Sequence, residues 1–305
     1  MRRSSASNAI LAIAILILLS NSSMAVLVEQ SDLSQGITVN GGRTILVEEI
    51  TATWCISCTE IDPYLEEVAD SHGSRISLVA LHPQDGVDVF ANEASQKRIE
   101  RIEANHGNYP GTPSFSVNGL DYHEGPNSWP SVQREILDEE TKRSNHADIQ
   151  ISAMHEDGII RLEAITNDFE SNHQLTLMFL EHQKQLPNGD FPGDRTRERV
   201  LTDMVSFTQN GTTSYGERNS SNYSIYENNS VTLLYNLSVL QDEVWSIIAV
   251  LEYNDEHVFS GGLSSSLGAV EISNREITSE ASSNYSTLIL LGFLSLGLVY
   301  IFIKK

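Results

Sequence analysis

Thr44-Ile45-Leu46-Val47-Glu48-Glu49-Ile50-Thr51-Ala52-Thr53-Trp54-Cys55-Ile56-Ser57-Cys58 is the stretch around which the chain is organised. Residues 44–52 are rich in β-branched and apolar side chains and predict a buried strand. That strand delivers the chain to two cysteines three apart, the spacing of one helical turn. They are the only cysteines in 305 residues. So tight a pair cannot cross-link distant elements, and the ring it closes is too small for much entropic stabilisation. The pair therefore reads as chemical rather than structural.

Beyond Cys58, Ile61, Leu65, Val68 and Ala69 recur at helical spacing, with acidic residues on the other face. Pro63 lies inside this helix and is expected to kink it. Residues 76–81 predict a second buried strand, Pro83-Gln84-Asp85-Gly86 a turn, and residues 92–106 a charged helix stopped by Gly107. Tyr109-Pro110-Gly111-Thr112-Pro113 is a cluster of helix breakers that leads into a strand over 114–117. Asn118-Gly119 then signals a hairpin. Trp129, Val132 and Ile136 mark one more amphipathic helix. The order β-α-β-α-β-β-α describes one compact α/β unit.

The composition changes at Asn145. Residues 149–153 and 159–165 alternate around the Glu156-Asp157-Gly158 turn. Further strand-like runs follow at 175–180, 200–207, 223–226, 231–239, 244–253 and 269–272, with no helical pattern between them. This predicts an Ig-like β-sandwich of roughly seven strands. Residues 183–199 form a polar loop of uncommon length, carrying Pro187, Gly189, Pro192 and Gly193. Asn210, Asn219, Asn222, Asn228, Asn236 and Asn284 each begin an Asn-x-Ser/Thr sequon, a pattern compatible with glycosylation of an exported domain. There is no self-similar repeat, which excludes solenoids and propellers.

The ends predict export and a tether. Arg2 and Arg3 precede an apolar run over 9–19, and Ser23 and Ala25 supply small residues for cleavage. Residues 1–25 therefore read as a secretory signal peptide, with an uncleaved signal anchor as the alternative. Residues 276–284 read as a stalk. Residues 285–303 are apolar apart from Ser and Thr, long enough for a transmembrane helix, and Lys304-Lys305 form a short cytoplasmic tail. This topology places the bulk of the chain in the secretory pathway or at the cell surface, as a single-pass membrane protein. The formal charge of −22 argues against nucleic acid, whose phosphates demand Lys and Arg. It fits a strongly solvated surface.

Four features occur together in residues 44–143: Trp54 before the pair, Cys55-x-x-Cys58, Pro63 five residues after the second cysteine, and Thr112-Pro113 before a strand. In that β-α-β frame they resemble the thioredoxin superfamily. The expected architecture is an α/β thioredoxin-like domain (26–144), an all-β sandwich (145–275) and a C-terminal transmembrane helix. By layout the pairing also resembles exported, outer-membrane-associated bacterial thioredoxin-like proteins. The chemistry of the residues agrees. A thiolate attacks disulfides, and Cys55, at a helix start, has free N–H groups and the helix dipole to stabilise it. Cys55 is thus the expected exposed nucleophile, and Cys58, one turn deeper, the resolving thiol. The resemblance implies a redox-active Cys55–Cys58 disulfide, a cis Pro113 facing the pair, and a Thr112 backbone that holds extended substrate. Trp54 would shield the thiol or pack beside it. Glu49 stands where the superfamily often has a buried acid, a role that would let it take the Cys58 proton. Glu48 and Glu49 face opposite ways, so only one is expected to point inward.

Ile56-Ser57 departs from the Gly-Pro, Gly-His or Pro-His pairs of better-known members, with neither a histidine for the thiolate nor a proline to stiffen the turn. Such pairs span about −270 to −120 mV, so reduction, oxidation and isomerisation all stay open. No second Cys-x-x-Cys completes a zinc site. His82, His106 and His123 read as surface or capping histidines, and no cofactor is expected. Two functions follow. One is a membrane-anchored thiol–disulfide oxidoreductase acting on thiols and disulfides of exported proteins, recycled by a separate redox partner. The other is a surface binding or assembly protein in which the sandwich binds and the α/β unit is a scaffold.

Overall fold

The computed structural model describes residues 33–142, 146–156, 159–167, 169–216, 219–227, 230–238 and 244–274. The first half contains β1 (Ile37–Gly41), β2 (Ile45–Ile50), α1 (Ile56–His72), β3 (Ile76–Leu81), α2 (Glu93–His106), β4 (Ser114–Val117), β5 (His123–Glu124) and α3 (Trp129–Lys142). The second contains β6 (Ile149–Glu156), β7 (Ile159–Thr166), β8 (His173–Glu181), β9 (Lys184–Gln185), β10 (Thr196–Arg197), β11 (Val200–Thr208), β12 (Gly211–Tyr215), β13 (Asn219–Glu227), β14 (Ser230–Ser238), β15 (Trp245–Tyr253), α4 (Asp255–Phe259) and β16 (Ser266–Asn274). The predicted signal peptide, stalk, membrane span and tail lie outside the described residues. Among the described residues no helix is long and apolar enough to cross a membrane.

β2 and β3 run parallel, β4 is antiparallel to β2, and β5 is antiparallel to β4, in the order β3-β2-β4-β5. On one face Ile45, Val47, Phe115 and Val117 pack with Ile61 and Leu65 of α1 and Val132 and Ile136 of α3. On the other, Leu46, Ile50, Val79 and Leu81 meet Ala94, Ile99 and Ile102 of α2. A strand covered on both faces has no solvated side, and β2 is buried at every position. Both glutamates are therefore inside, Glu48 at 0% exposure and Glu49 at 3%. The expectation that only one points inward assumed a strand with one wet face.

Two sheets form the β part: β1-β6-β7-β14-β13, and the run β16-β15-β8-β11 with β12 against β11. Ile149, Ile151, Leu162, Leu177, Phe179, Phe207, Trp245 and Ile247 are among the side chains that fill the space between them. Three features differ from the sequence reading. The lead before Thr44, counted there with the α/β unit, forms β1 and pairs with β6. A short helix, α4, capped by the Asn254 side chain, follows β15. And the two sheets of the chain's halves are not separate: β11 lies parallel to β3 with Val200 opposite Ala80, making one nine-stranded sheet. The Ala80 N–H donates to the Arg199 carbonyl at 2.9 Å across that seam.

Helix α2 lies over the seam, because the cluster that holds Ile99 and Ile102 also contains Met178, Leu180, Met204, Ile248 and Val250 from the second half. Its cations pair with acids of both halves. Arg98 Nε donates to Glu48 at 2.7 Å and Nη1 to Glu252 at 2.7 Å, while Arg101 stands 3.4 Å from Glu252. Glu252 also accepts from Thr176 Oγ1 at 2.6 Å and Gln174 Nε2 at 2.9 Å. Burial opposes its ionisation, but Arg101 and Arg98 outweigh that and hold its pKa near 2. Arg98→Met strands two buried carboxylates and is expected to cost about 3–5 kcal/mol. Denaturant unfolding of the wild type should show one transition, since one core spans both halves; two well-separated transitions would count against that shared core.

Candidate redox site

Cys55 is the N-cap of α1, and its Sγ accepts the Cys58 N–H at 3.1 Å. The cysteine thus satisfies one of the free donors at the helix start. The two sulfurs are bonded at 2.08 Å. Cys58 is 0% exposed and Cys55 4%. The exposed nucleophile expected from sequence is therefore covered in this disulfide form, because its sulfur turns inward to Cys58 and the Cys58 amide. What projects from the surface are the flanking side chains, Trp54 at 44% and Ile56 at 68% exposure. Ser57 Oγ lies 3.5 Å from Cys55 Sγ, so the unusual middle pair does place one hydroxyl beside the sulfur.

The loop after β3 grips this turn. Asp88 accepts the Thr53 N–H at 3.2 Å and the Thr53 hydroxyl at 3.0 Å. It also pairs with His82 Nδ1, at 2.8 Å with both side chains wholly buried, and accepts the Phe90 N–H at 2.8 Å. Burial works against an ionised Asp88, yet the His82 hydrogen bond and charge leave its pKa below the ordinary value. The Trp54 indole N–H donates to Asp85 at 2.9 Å, and Val87 and Val89 of the same loop are exposed. The Thr112–Pro113 peptide is cis, the conformer that the resemblance implies. Ser114 pairs with Ile50, so Pro113 stands at the end of β2 from which the chain runs to Cys55. Pro113 is buried and Thr112 half-buried.

Between β2, β3 and α1 lies a small chamber, about 20 Å³ of water-accessible space, enough for a water molecule. β2 contributes Glu49, and α1 contributes Asp62 and Glu66. Glu49 Oε1 and Asp62 Oδ1 are bonded to no described group. Burial, then Asp62, raises Glu49 well above an ordinary glutamate. Burial lifts Asp62 to about 6, against the pull of Arg197. Burial and the neighbouring Glu198 lift Glu66 to about 7. His82 lines the chamber too, with Nε2 bonded to no described group.

The remaining wall is Arg197, Glu198 and Arg199, the end of the long polar loop. That loop is built, not slack. β9 pairs with β10, Arg195 donates to the carbonyls of Leu186, Pro187 and Gly189, and Arg197 to those of Pro192, Asp194 and Thr196. Its tip rests on the first turn of α1. A Cβ on Gly193, at φ +70°, would lie 2.7 Å from the Thr59 side chain, so only glycine fits. Arg199 reaches α1 as well, donating to Asp70 at 2.8 Å.

Sequence reasoning placed Asp62 and Glu66 on the solvent face of α1. The loop reaches that face, and Asp62, Glu66 and Asp70 are half-buried. A signal was present: Cys58, Asp62, Glu66 and Asp70 recur every four residues, one stripe of a helix. His106, expected as a capping histidine, contacts the Gly119 carbonyl at 3.1 Å, and His123 pairs with Glu135. Among the described residues no group of three His, Cys, Asp or Glu side chains is disposed to hold a metal. No protein-family model and no curated protein matches this chain. The site is thus defined by its own geometry: a Cys-x-x-Cys pair at disulfide distance, at the head of a helix in a mixed α/β region.

Because Asp62 and Glu66 titrate near 6 and 7, the folded protein keeps protons that an unfolded chain releases around pH 4. The stability they add is full below that range and is lost as pH rises through 6 and 7. The denaturant midpoint should therefore fall between pH 5 and 8. Glu66→Gln should flatten part of that fall, which a pair of urea titrations for each protein will read.

Proposed function

We propose that this protein is an exported, membrane-anchored thiol–disulfide oxidoreductase of thioredoxin-like type. The observation that carries the reading is the Cys55–Cys58 disulfide with Cys55 capping α1. A thiolate released there by reduction faces the free N–H groups and positive end of the helix, which favour its charge. The strand order β3-β2-β4-β5 and the cis Thr112–Pro113 bond at the disulfide end of the sheet support the thioredoxin-like assignment. The exposed apolar rim of Trp54, Ile56, Val87 and Val89 suits an unfolded or extended protein substrate, with the Thr112 backbone beside it. The signal-like start and the apolar C-terminal run support export and anchoring. Substrates are then cysteines of exported proteins, and a separate redox partner recycles the pair.

In the reducing direction the Cys55 thiolate attacks a substrate disulfide, one substrate sulfur leaves, and a mixed disulfide forms. The Cys58 thiolate then attacks Cys55 Sγ and expels the second substrate sulfur. Two electrons pass from the dithiol to the substrate, and the departing thiolates take up protons from water.

One observation favours the binding or assembly reading: both cysteines are buried when oxidised. Thiol labelling across graded redox potentials separates the two, since a pair that stays oxidised under physiological reductants is a scaffold. The direct test is insulin reduction by the purified full-length protein. Cys55→Ser should abolish it, and Cys58→Ser should trap a mixed disulfide; an unchanged rate in Cys55→Ser would sink the proposal.

A further inference from the structure

The surface around the disulfide is apolar at its centre and acidic at its margin. Trp54, Ile56, Val87 and Val89 are large apolar side chains exposed to solvent. Scattered singly, such residues carry no message, but a group of them beside a reactive pair marks a contact surface. Trp54 and Ile56 flank Cys55 in the chain, and Val87 and Val89 belong to the loop that bonds Trp54 through Asp85. This inference rests on the oxidoreductase reading and names the class of substrate that the same site selects.

Carboxylates border that patch. Asp85 accepts the Trp54 indole N–H at 2.9 Å. Glu60 is exposed one helical turn after Ile56, where side chains four apart are neighbours. Glu124 is exposed and pairs in β5 with Ser114, the residue after the cis proline; its Oε1 lies 3.9 Å from the Cβ position of Gly111. Asp194 is exposed next to Gly193, which rests on Thr59, and Asp190 is exposed on the same loop. These two aspartates come from the second half of the chain. The cations nearby are disposed differently. Arg197 and Arg199 are buried, and Arg195 directs its guanidinium to the carbonyls of Leu186, Pro187 and Gly189. Lys184 is paired with Glu181, and His123 with Glu135. The loop thus turns its arginines to its own backbone and to α1, and its aspartates to solvent. General acidity does not require that sorting, because water solvates an exposed arginine as readily as an exposed aspartate.

We propose that this face docks an extended cationic segment of a substrate protein, in which the reacting cysteine is flanked by Lys or Arg and by at least one apolar residue. The apolar residue covers the patch of Trp54, Ile56, Val87 and Val89, and the basic residues meet the acids at its margin. A segment with acidic flanks meets like charge there and is turned away, so the margin selects by repulsion as well as attraction. Charges at a rim act on encounter more than on the closed complex. They therefore decide which disulfides reach Cys55 quickly. The exchange itself is unchanged: the Cys55 thiolate attacks the sulfur of the flanked cysteine, the S–S bond to its former partner breaks, and the electron pair leaves on the partner's sulfur. Cys58 then resolves the mixed disulfide. Because Asp190 and Asp194 lie between β9 and β10, the second half of the chain takes part in choosing the substrate.

The test uses the reduced full-length protein and two synthetic peptides, alike except that either Lys or Glu flanks a single cysteine next to a leucine. Each peptide carries that cysteine as a mixed disulfide with mercaptoethanol, an uncharged cap. Quenched samples separated by chromatography give the second-order rate constants. At about 20 mM salt, where screening is weak, the Lys peptide should react about 30-fold faster than the Glu peptide. At about 0.5 M salt that ratio should fall below about threefold. The ratio is the readout, so any effect of a charge on the Cys55 thiolate itself cancels. Glu60→Gln combined with Asp194→Asn should lower the low-salt ratio by about threefold or more, and Glu60→Lys combined with Asp194→Lys should bring it to about one or below. Both side chains are exposed, so the fold should tolerate either pair of changes. A wild-type ratio near one, a preference for the Glu peptide, or a ratio indifferent to salt or to both double variants overturns the docking proposal and leaves the oxidoreductase standing. A wild type that reduces neither peptide nor the uncharged disulfide of mercaptoethanol overturns the oxidoreductase reading itself, and this inference with it.

Discussion

The backbone bond from the Ala80 N–H to the Arg199 carbonyl, 2.9 Å long, marks the seam on which the rest of this molecule depends. Without β11, β3 would be the exposed edge of a short mixed sheet, with donors and acceptors open to other chains. With it, that edge is closed from within the chain. The closure has a local cost. Arg199 takes a left-handed φ of +55°, worth about 1–2 kcal/mol for a residue with a side chain. Two anchors hold it there: its carbonyl accepts Ala80, and its guanidinium bonds Asp70. The same residue thus fixes the sheet seam, the end of the polar loop and one wall of the chamber.

Buried charge divides between the two faces of that sheet by sign and by partner. On the α2 face, Glu48 and Glu252 meet Arg98 and Arg101, and the two arginines hold Glu252 ionised against its burial. On the α1 face, Glu49, Asp62 and Glu66 outnumber the nearby cations, and burial pushes each of them up. Glu48 and Glu49 are adjacent in sequence and end on opposite faces with different neighbours. The first belongs to a fixed ionic clamp between the chain's halves, whereas the second belongs to a group that titrates near neutrality. A clamp suits stability, and a titrating group suits proton movement.

Much of this was legible in the sequence. The strand into Cys55, the helix after it, the order of the α/β elements and the principal sandwich strands follow from local periodicity and turn chemistry, which short windows record. What was missed is of longer range. Nothing local in Ile37–Gly41 says that it pairs with β6, more than a hundred residues away. The acids Asp62 and Glu66 look solvated on a helical wheel because the wheel cannot show a loop arriving from residue 193. The loop did carry two hints: its unusual length, and three arginines at positions 195, 197 and 199. These brace carbonyls and approach acids, where a slack solvent loop needs no such residues. Glu48 was misjudged for a different reason, since alternation sorts side chains by face but does not say that both faces are covered.

The electrostatics of α1 now bear on the direction left open by Ile56-Ser57. The helix start favours a thiolate at Cys55. A row of ionised acids along the same helix would oppose it, the more so in a chain of net charge −22, and would make the disulfide the preferred state. Two features offset that repulsion. Burial, then Asp62, raises the pKa of Glu49 well above the ordinary value, which disfavours a second negative charge beside Asp62. Arg197 and Arg199 bring positive charge to the chamber, with Arg199 paired to Asp70. The balance between them acts on the reduced form and barely on the disulfide, which carries no charge. A change in the loop arginines therefore shifts the stability of the dithiol selectively, and with it the redox potential. In this architecture the residues between the cysteines need not carry that tuning alone, because the second half of the chain supplies part of it.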